Sequence, residues 1–203
     1  MKIYGDAVGA PNPRKLRVYC AEKGLSLPYQ TVDIMTGENR QPEFAKKNPL
    51  MGLPVLELDD GTYLTESLAI MEYLEELHPD PPMIGSNPVE RARIREAERI
   101  CEIGVMASIG TIFQNTSPFF AGRIKQSADT AENSRGRLAQ VLTVLDSRIG
   151  SNRFVAGSRP SIADCTLIAA FGFAAFAGVE FDPAQKNVSR WYADFQKRPS
   201  ASA

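Results

Sequence analysis

The chain has 203 residues, 43% of them hydrophobic and 23% charged, an ordinary globular composition with room for one large domain or two small ones. Its 23 Lys and Arg stand against 24 Asp and Glu, a formal net charge of −1. That balance offers no basic excess for a phosphate backbone and no Lys/Arg run for a lipid surface, so nucleic acid and membrane are excluded as expected partners.

The start of the chain reads directly as a strand, Lys2–Gly5, with no signal-peptide pattern. A loop with Gly9, Pro11 and Pro13 follows. Helical spacing of Leu16, Val18, Tyr19 and Cys20 predicts a helix over 14–23, stopped by Gly24. Alternation over 29–34 predicts a second strand, and 42–46 a helical turn. Pro54–Leu58 reads as a third strand, Asp59-Asp60-Gly61 as a hairpin turn, and Tyr63-Leu64 as the start of a fourth strand. A helix over 66–77 buries Leu68, Ile70, Met71, Leu74 and Leu77. His78-Pro79-Asp80-Pro81-Pro82 ends this unit. The remainder reads as helices over 89–113, 128–149, 161–176 and 188–197. The apolar run Leu167–Val179 is short for a membrane span and rich in Ala and Gly, as in a buried helix. The expected domains are therefore 1–80, a linker over 81–87, and an all-helical 88–203.

Three features carry chemistry. Proline cannot donate to a sheet ladder, so Leu53-Pro54 belongs at a strand start; a cis bond there would turn Leu53's backbone N–H and C=O outward, ready for an extended peptide, while a trans bond would be an ordinary edge-strand start. Thr65-Glu66-Ser67 enters a helix, with Thr65 as its cap. The N–H groups of Glu66 and Ser67 and the Ser67 hydroxyl offer a carboxylate site, and Glu66 suits an adjacent ammonium; an ordinary capped helix start has the same composition. In Ala10-Pro11-Asn12-Pro13, the Asn12 amide could donate to a thiolate beside a helix N-terminus, or could simply be an N-cap.

In this order, the segments from Asn48 through Leu56 and from Leu64 through Ile70, with Ser161-Ile162-Ala163-Asp164 as a helical-domain capping box, resemble the glutathione transferase superfamily over essentially the whole chain. The resemblance implies an α/β thioredoxin-like N-terminal domain, βαβ-ββα with a mixed four-stranded sheet, plus an all-α C-terminal helical bundle domain. It implies that Leu53, after which Pro54 makes the turn, binds the cysteinyl backbone, that Glu66 and Ser67 hold the γ-glutamyl end, and that Asn39 lies near the glycyl carboxylate, with the long cation of Arg40 as the alternative there. Many members place Tyr, Ser or Cys in the first loop. Here Pro11-Asn12-Pro13 is similar to a bacterial and fungal branch in which Asn is the thiol contact, a branch associated with disulfide-reductase and peroxidase activity as often as with conjugation. Asn12 would stabilise a thiolate without acting as a base. Glutathione is then a substrate, with no other cofactor and no metal; the second substrate is a small hydrophobic electrophile, peroxide or disulfide. A cytoplasmic homodimer engaged in detoxification is implied, with a non-catalytic glutathione-fold module as the alternative.

Other candidates read as structural. His78 is a helix-end dipole partner. Cys20, Cys101 and Cys165 are odd in number, widely spaced and placed within helices, which fits core thiols in a reducing compartment. The run of Arg91, Arg93, Arg95 and Arg99 interleaved with Glu90, Glu96 and Glu98 is a solvated or dimer-facing surface. Met106, Phe113, Phe119 and Phe120 could line an apolar pocket, and each alone reads as helix core.

Overall fold

A computed structural model describes residues 1–7, 9–182 and 184–203. The first half contains β1 (Lys2–Gly5), α1 (Pro11–Lys23), β2 (Tyr29–Thr31), a 3₁₀ turn (Glu38–Arg40), the one-turn α2 (Pro42–Ala45), β3 (Val55–Glu57), β4 (Tyr63–Thr65) and α3 (Ser67–Leu77). The strands order as β2-β1-β3-β4. β1 and β2 are parallel, whereas β3 is antiparallel to both β1 and β4. This is the expected mixed sheet. β2 ends at Thr31 rather than 34, and its residues are exposed.

Helices follow: α4 (Pro88–Arg99) runs through a π-helical stretch, Ile100–Met106, into α5 (Ala107–Thr116). The sequence predicts one regular helix over 89–113. Within this widened stretch Gly104 brings backbone directly against the next helix, where an added Cβ would lie 2.7 Å from Val141 Cγ1. That helix is α6 (Ala128–Ile149), followed by α7 (Ile162–Ala177) and α8 (Lys186–Phe195). Three-residue and four-residue 3₁₀ turns at Pro118–Phe120 and Pro199–Ser202 were not apparent from periodicity.

One hydrophobic core runs from Ile3, Leu16 and Tyr19 through Ile70 and Leu74 to Leu142, Ile168 and Trp191, so both halves share it. A smaller cluster, Tyr4, Val32, Phe44 and Val55, lies under α2. The α1 helix holds its place by charge as well as by apolar contact. Lys15 is fully buried, 3.1 Å from Glu102 and 3.7 Å from Glu98. Lys23 pairs at 2.9 Å with Glu75. Glu75 also accepts from Tyr19 Oη at 2.8 Å, Met83 N at 2.7 Å and Ile84 N at 3.1 Å, fastening the linker to α1 and α3. Burial of this kind is costly unless every charge has a partner.

The start of α7 forms the expected capping box. Asp164, fully buried, accepts from the Ser161 N–H and hydroxyl, each at 2.9 Å, from Val155 N at 2.9 Å and from Trp191 Nε1 at 2.7 Å. Burial pushes its carboxyl up to about 6, while these hydrogen bonds to the charged form pull it back.

Candidate functional site

Strand register brings the three chemistry-bearing segments to one end of the sheet. Tyr4 pairs with Val55 and Val55 with Thr65, so the exit of β1, the entry of β3 and the exit of β4 are neighbours. The Leu53–Pro54 bond is cis. Among the described residues the N–H and C=O of Leu53 have no backbone partner. Asn48, buried, shapes the approach by donating to Gly52 O at 2.9 Å and accepting from Leu50 N at 3.0 Å.

Thr65 is not the cap of α3. It closes β4, and Glu66 occupies the N-cap position at φ 67°, ψ 113°. A non-glycine residue in that region is strained by about 1–3 kcal/mol and persists only where its surroundings over-determine it. Neighbouring Ser67 is buried and opens the helix, with Ser67, Leu68 and Ala69 N–H groups in the uncapped first turn.

Asn12 is not a cap either. Helix α1 begins at Pro11, three residues earlier than periodicity implies, and Ala10 is its N-cap. Proline at the first helical position is itself a start signal. Pro11 and Pro13 carry no N–H, and Arg14 N already bonds Ala10 O at 3.1 Å, so Asn12 N–H is the backbone donor of that turn without a partner among the described residues. The side chain of Asn12 meets the other helix end: Ser67 Oγ donates to Asn12 Oδ1 over 3.4 Å, a long and weak bond. Asn12 Nδ2 has no partner among the described residues. Helices α4, α6 and α7 are capped at their N-termini by Asn87, Ser127 and the Ser161–Asp164 box, whereas α1 and α3 have no side-chain cap.

Asn39 and Arg40 sit in the 3₁₀ turn before α2. Asn39 Nδ2 donates to Met51 O at 2.8 Å, so its donor ties down the loop leading to Leu53, and its buried Oδ1 is an acceptor unsuited to a carboxylate. Arg40 is exposed, and its guanidinium has no partner among the described residues.

The aromatic candidates separate. Met106 is buried in the shared core. Phe113 sits at the centre of a ring cluster, 5.5 Å from Phe120, Phe173 and Phe176, with Phe119 5.1 Å from Phe120. Phe173 and Phe176 escaped the sequence reading because α7 is apolar on every face; Phe176 is 70% exposed, which marks it as surface rather than core. Arg123 stacks 4.2 Å over Phe119.

The remaining groups are structural. Burial pushes the Cys20 thiol up to about 12 and those of Cys101 and Cys165 well above the usual range, the reverse of what a nucleophile needs. His78 closes α3, its N–H bonding Leu74 O at 2.9 Å. Arg95 pairs with Glu72 and Arg99 with Glu102, while Arg91 bonds Gly85 O. Among the described residues no group of His, Cys, Asp and Glu is placed to hold a metal, and no helix is long and apolar enough to cross a membrane.

Sheet order and the appended helices define the class: a thioredoxin-like domain followed by an all-helical one. Family models described as glutathione S-transferase N-terminal domain and C-terminal domain match residues 6–82 and 128–194. The chain is 30% identical to glutathione S-transferase 2 of Saccharomyces cerevisiae, over 98% of this chain and 87% of that protein. It is 32% identical to a maleylacetoacetate isomerase of Pseudomonas aeruginosa, over 83% of this chain and 79% of that one. The crystal structure of a glutathione S-transferase domain-containing protein from Marinobacter aquaeolei VT8 superposes with a TM-score of 0.91 at 35% identity, covering 99% of this chain and 100% of that one. The chain belongs to the glutathione S-transferase family.

Proposed function

We propose that the protein is a glutathione transferase that holds glutathione across the uncapped ends of α1 and α3 and presents its thiolate to an apolar electrophile, peroxide or disulfide. The observation that carries this reading is the pair of helix N-termini, joined by Ser67 and Asn12, that lack the side-chain caps found on α4, α6 and α7. Unsatisfied donors at a helix end suit an anionic ligand. Ser67 and the first turn of α3 take the γ-glutamyl carboxylate, Glu66 its ammonium, and Leu53 pairs with the cysteinyl backbone. Asn39 Nδ2 commits one of its two N–H groups to Met51 O, whereas Arg40 is exposed with a full positive charge and no partner among the described residues, so Arg40 is the stronger group for the glycyl carboxylate.

The sulfur falls to α1. Asn12 offers two donors, its backbone N–H and Nδ2, and neither can remove a proton, so the thiol proton leaves to water and the thiolate is held by hydrogen bonds and the helix end. In conjugation the sulfur lone pair forms the S–C bond and the leaving group departs with its electrons. In disulfide exchange the new S–S bond expels a thiolate, and a second glutathione completes the reduction. The Phe113 cluster supports an apolar second substrate.

The test is glutathione binding by calorimetry, a titration of thiolate absorbance in the complex, and turnover with an aryl halide, an organic hydroperoxide and a small disulfide. Asn12→Ala is expected to raise the bound thiol's pKa by about one unit, the equivalent of about 1.4 kcal/mol. Binding without a lowered thiol pKa would identify a non-catalytic module; no binding and no turnover would end the proposal.

A further inference from the structure

The same α1 turn is held from behind by a residue that touches none of the proposed ligand groups. Arg14 lies two residues after Asn12. Its guanidinium is half-buried and donates from Nη2 to Ala201 O at 3.0 Å and from Nη1 to Ile168 O at 3.4 Å. One side chain thus ties the start of α1 to the middle of α7 and to the last 3₁₀ turn of the chain. Burial lowers its pKa, but a guanidinium stays charged under any ordinary condition.

Gly172 shows that α7 is shaped around this group. A Cβ there would fall 1.6 Å from Arg14 Nη1 and 2.8 Å from its Cζ. Glycine inside a helix costs up to about 1 kcal/mol relative to alanine, so a mid-helix glycine calls for a packing reason. The tail that supplies Ala201 is itself clamped to α1. Arg198 makes two bonds of 2.7 Å to the Glu22 carboxylate, and the Ser200 hydroxyl donates to the same group.

The first turn of α1 needs such support. Pro11 and Pro13 have no N–H to donate, Ala10 supplies no side-chain cap, and the first bond of the helix is the usual one from Arg14 N to Ala10 O. Asp6 Oδ2 holds Ala10 N at 2.7 Å on one side. We infer that Arg14, seated in the Gly172 notch and on the C-terminal turn, is a positioning residue that fixes Asn12 against the glutathione sulfur, making the last residues of the chain part of the site's support. This inference rests on the proposed function.

The role predicts a split between binding and chemistry. Glutathione is anchored at α3, so its KM should change less than about threefold, whereas a displaced Asn12 should lower kcat about tenfold, since small misplacements near a reacting group are expensive. The bound thiol's pKa should rise with it.

Three variants test this: Arg14→Ala, Gly172→Ala, and a chain ending at Arg198, each measured for unfolding midpoint, glutathione KM, kcat and bound-thiol pKa. Gly172→Ala pushes the guanidinium aside without altering α1. As a single substitution it should raise the thiol pKa and lower kcat, and it should add nothing to Arg14→Ala. Truncation should act in the same direction. Should Arg14→Ala not fold, Gly172→Ala and the truncated chain carry the test. Thiol pKa and kcat at wild-type values in folded variants, or additive effects of Arg14→Ala and Gly172→Ala, would overturn the inference while leaving the transferase reading intact. A wild-type chain that neither binds glutathione nor lowers its thiol pKa removes both.

Discussion

Replacing Lys15 with Met removes the buried ammonium that faces two carboxylates and leaves its stem volume nearly filled. Among the described residues Glu98, fully buried, then retains a 3.0 Å bond from Thr166 Oγ1, a distant Arg99 at 3.7 Å and the neighbouring Glu102, which itself keeps Arg99 at 2.6 Å. The orphaned charge is therefore that of Glu98. In the intact protein, burial pushes the Glu98 carboxyl from 4.5 up to about 7; Lys15 lowers it and Glu102 raises it. The folded state then holds a proton that the unfolded state has released, so this group's stabilisation is fully present below pH 4.5 and is lost as pH rises through about 7. Without Lys15 the penalty above that pH grows, because Glu98 must either stay charged without its ammonium or take up a proton.

Breaking a buried pair in this way costs about 3–5 kcal/mol. At pH 8 that corresponds to a fall of roughly 2 M in the urea midpoint for a slope near ~2 kcal/mol per molar. At pH 5, where Glu98 is protonated with or without Lys15, the fall should be much smaller. Lys15→Met combined with Glu98→Gln should recover most of the loss at pH 8, since no unpaired charge remains. Equal losses at both pH values, or no recovery in the double variant, would refute the reasoning.

Ser67→Ala should weaken glutathione binding about tenfold, the worth of one hydrogen bond to a charged group, read by calorimetry with unfolding unchanged. Asp164→Ala strips acceptors from Val155 N, Ser161 N and buried Trp191 Nε1. It should lower the thermal midpoint by several degrees or more, since each stranded donor costs about 1–3 kcal/mol. A shift under two degrees would mean that other groups satisfy those donors.

What the sequence made legible was whatever depends on neighbours along the chain. Leu53-Pro54, Glu66-Ser67 and the Ser161–Asp164 box carry their meaning within a few residues, and Ala128–Ile149 was bounded correctly by its own periodicity. Lys15 and Lys23 escaped notice because a lysine among apolar residues reads as solvent-facing, and the acids that permit their burial lie far along the chain at Glu98, Glu102 and Glu75. The packing that calls for Gly104 in the π-helical stretch is against Val141, on a different helix. Phe173 and Phe176 could not be separated from core in a helix with no polar face. The start of α1 at Pro11 follows from proline's preference for the first helical position, a signal that the Pro-Asn-Pro sequence shares with loops.

The two prolines around Asn12 also decide which anions that helix end refuses. Phosphate and sulfate spread their charge over several oxygens and are gathered at helix termini by several backbone N–H groups at once. With Asn12 N–H as the one unpartnered backbone donor of its first turn among the described residues, the α1 terminus is a poor host for such oxyanions and a reasonable one for a monatomic centre that needs only two well-aimed bonds. On the proposed function that sparseness is discrimination: abundant inorganic anions find little to hold there, while a sulfur delivered by a ligand anchored at α3 needs no more than Asn12 offers.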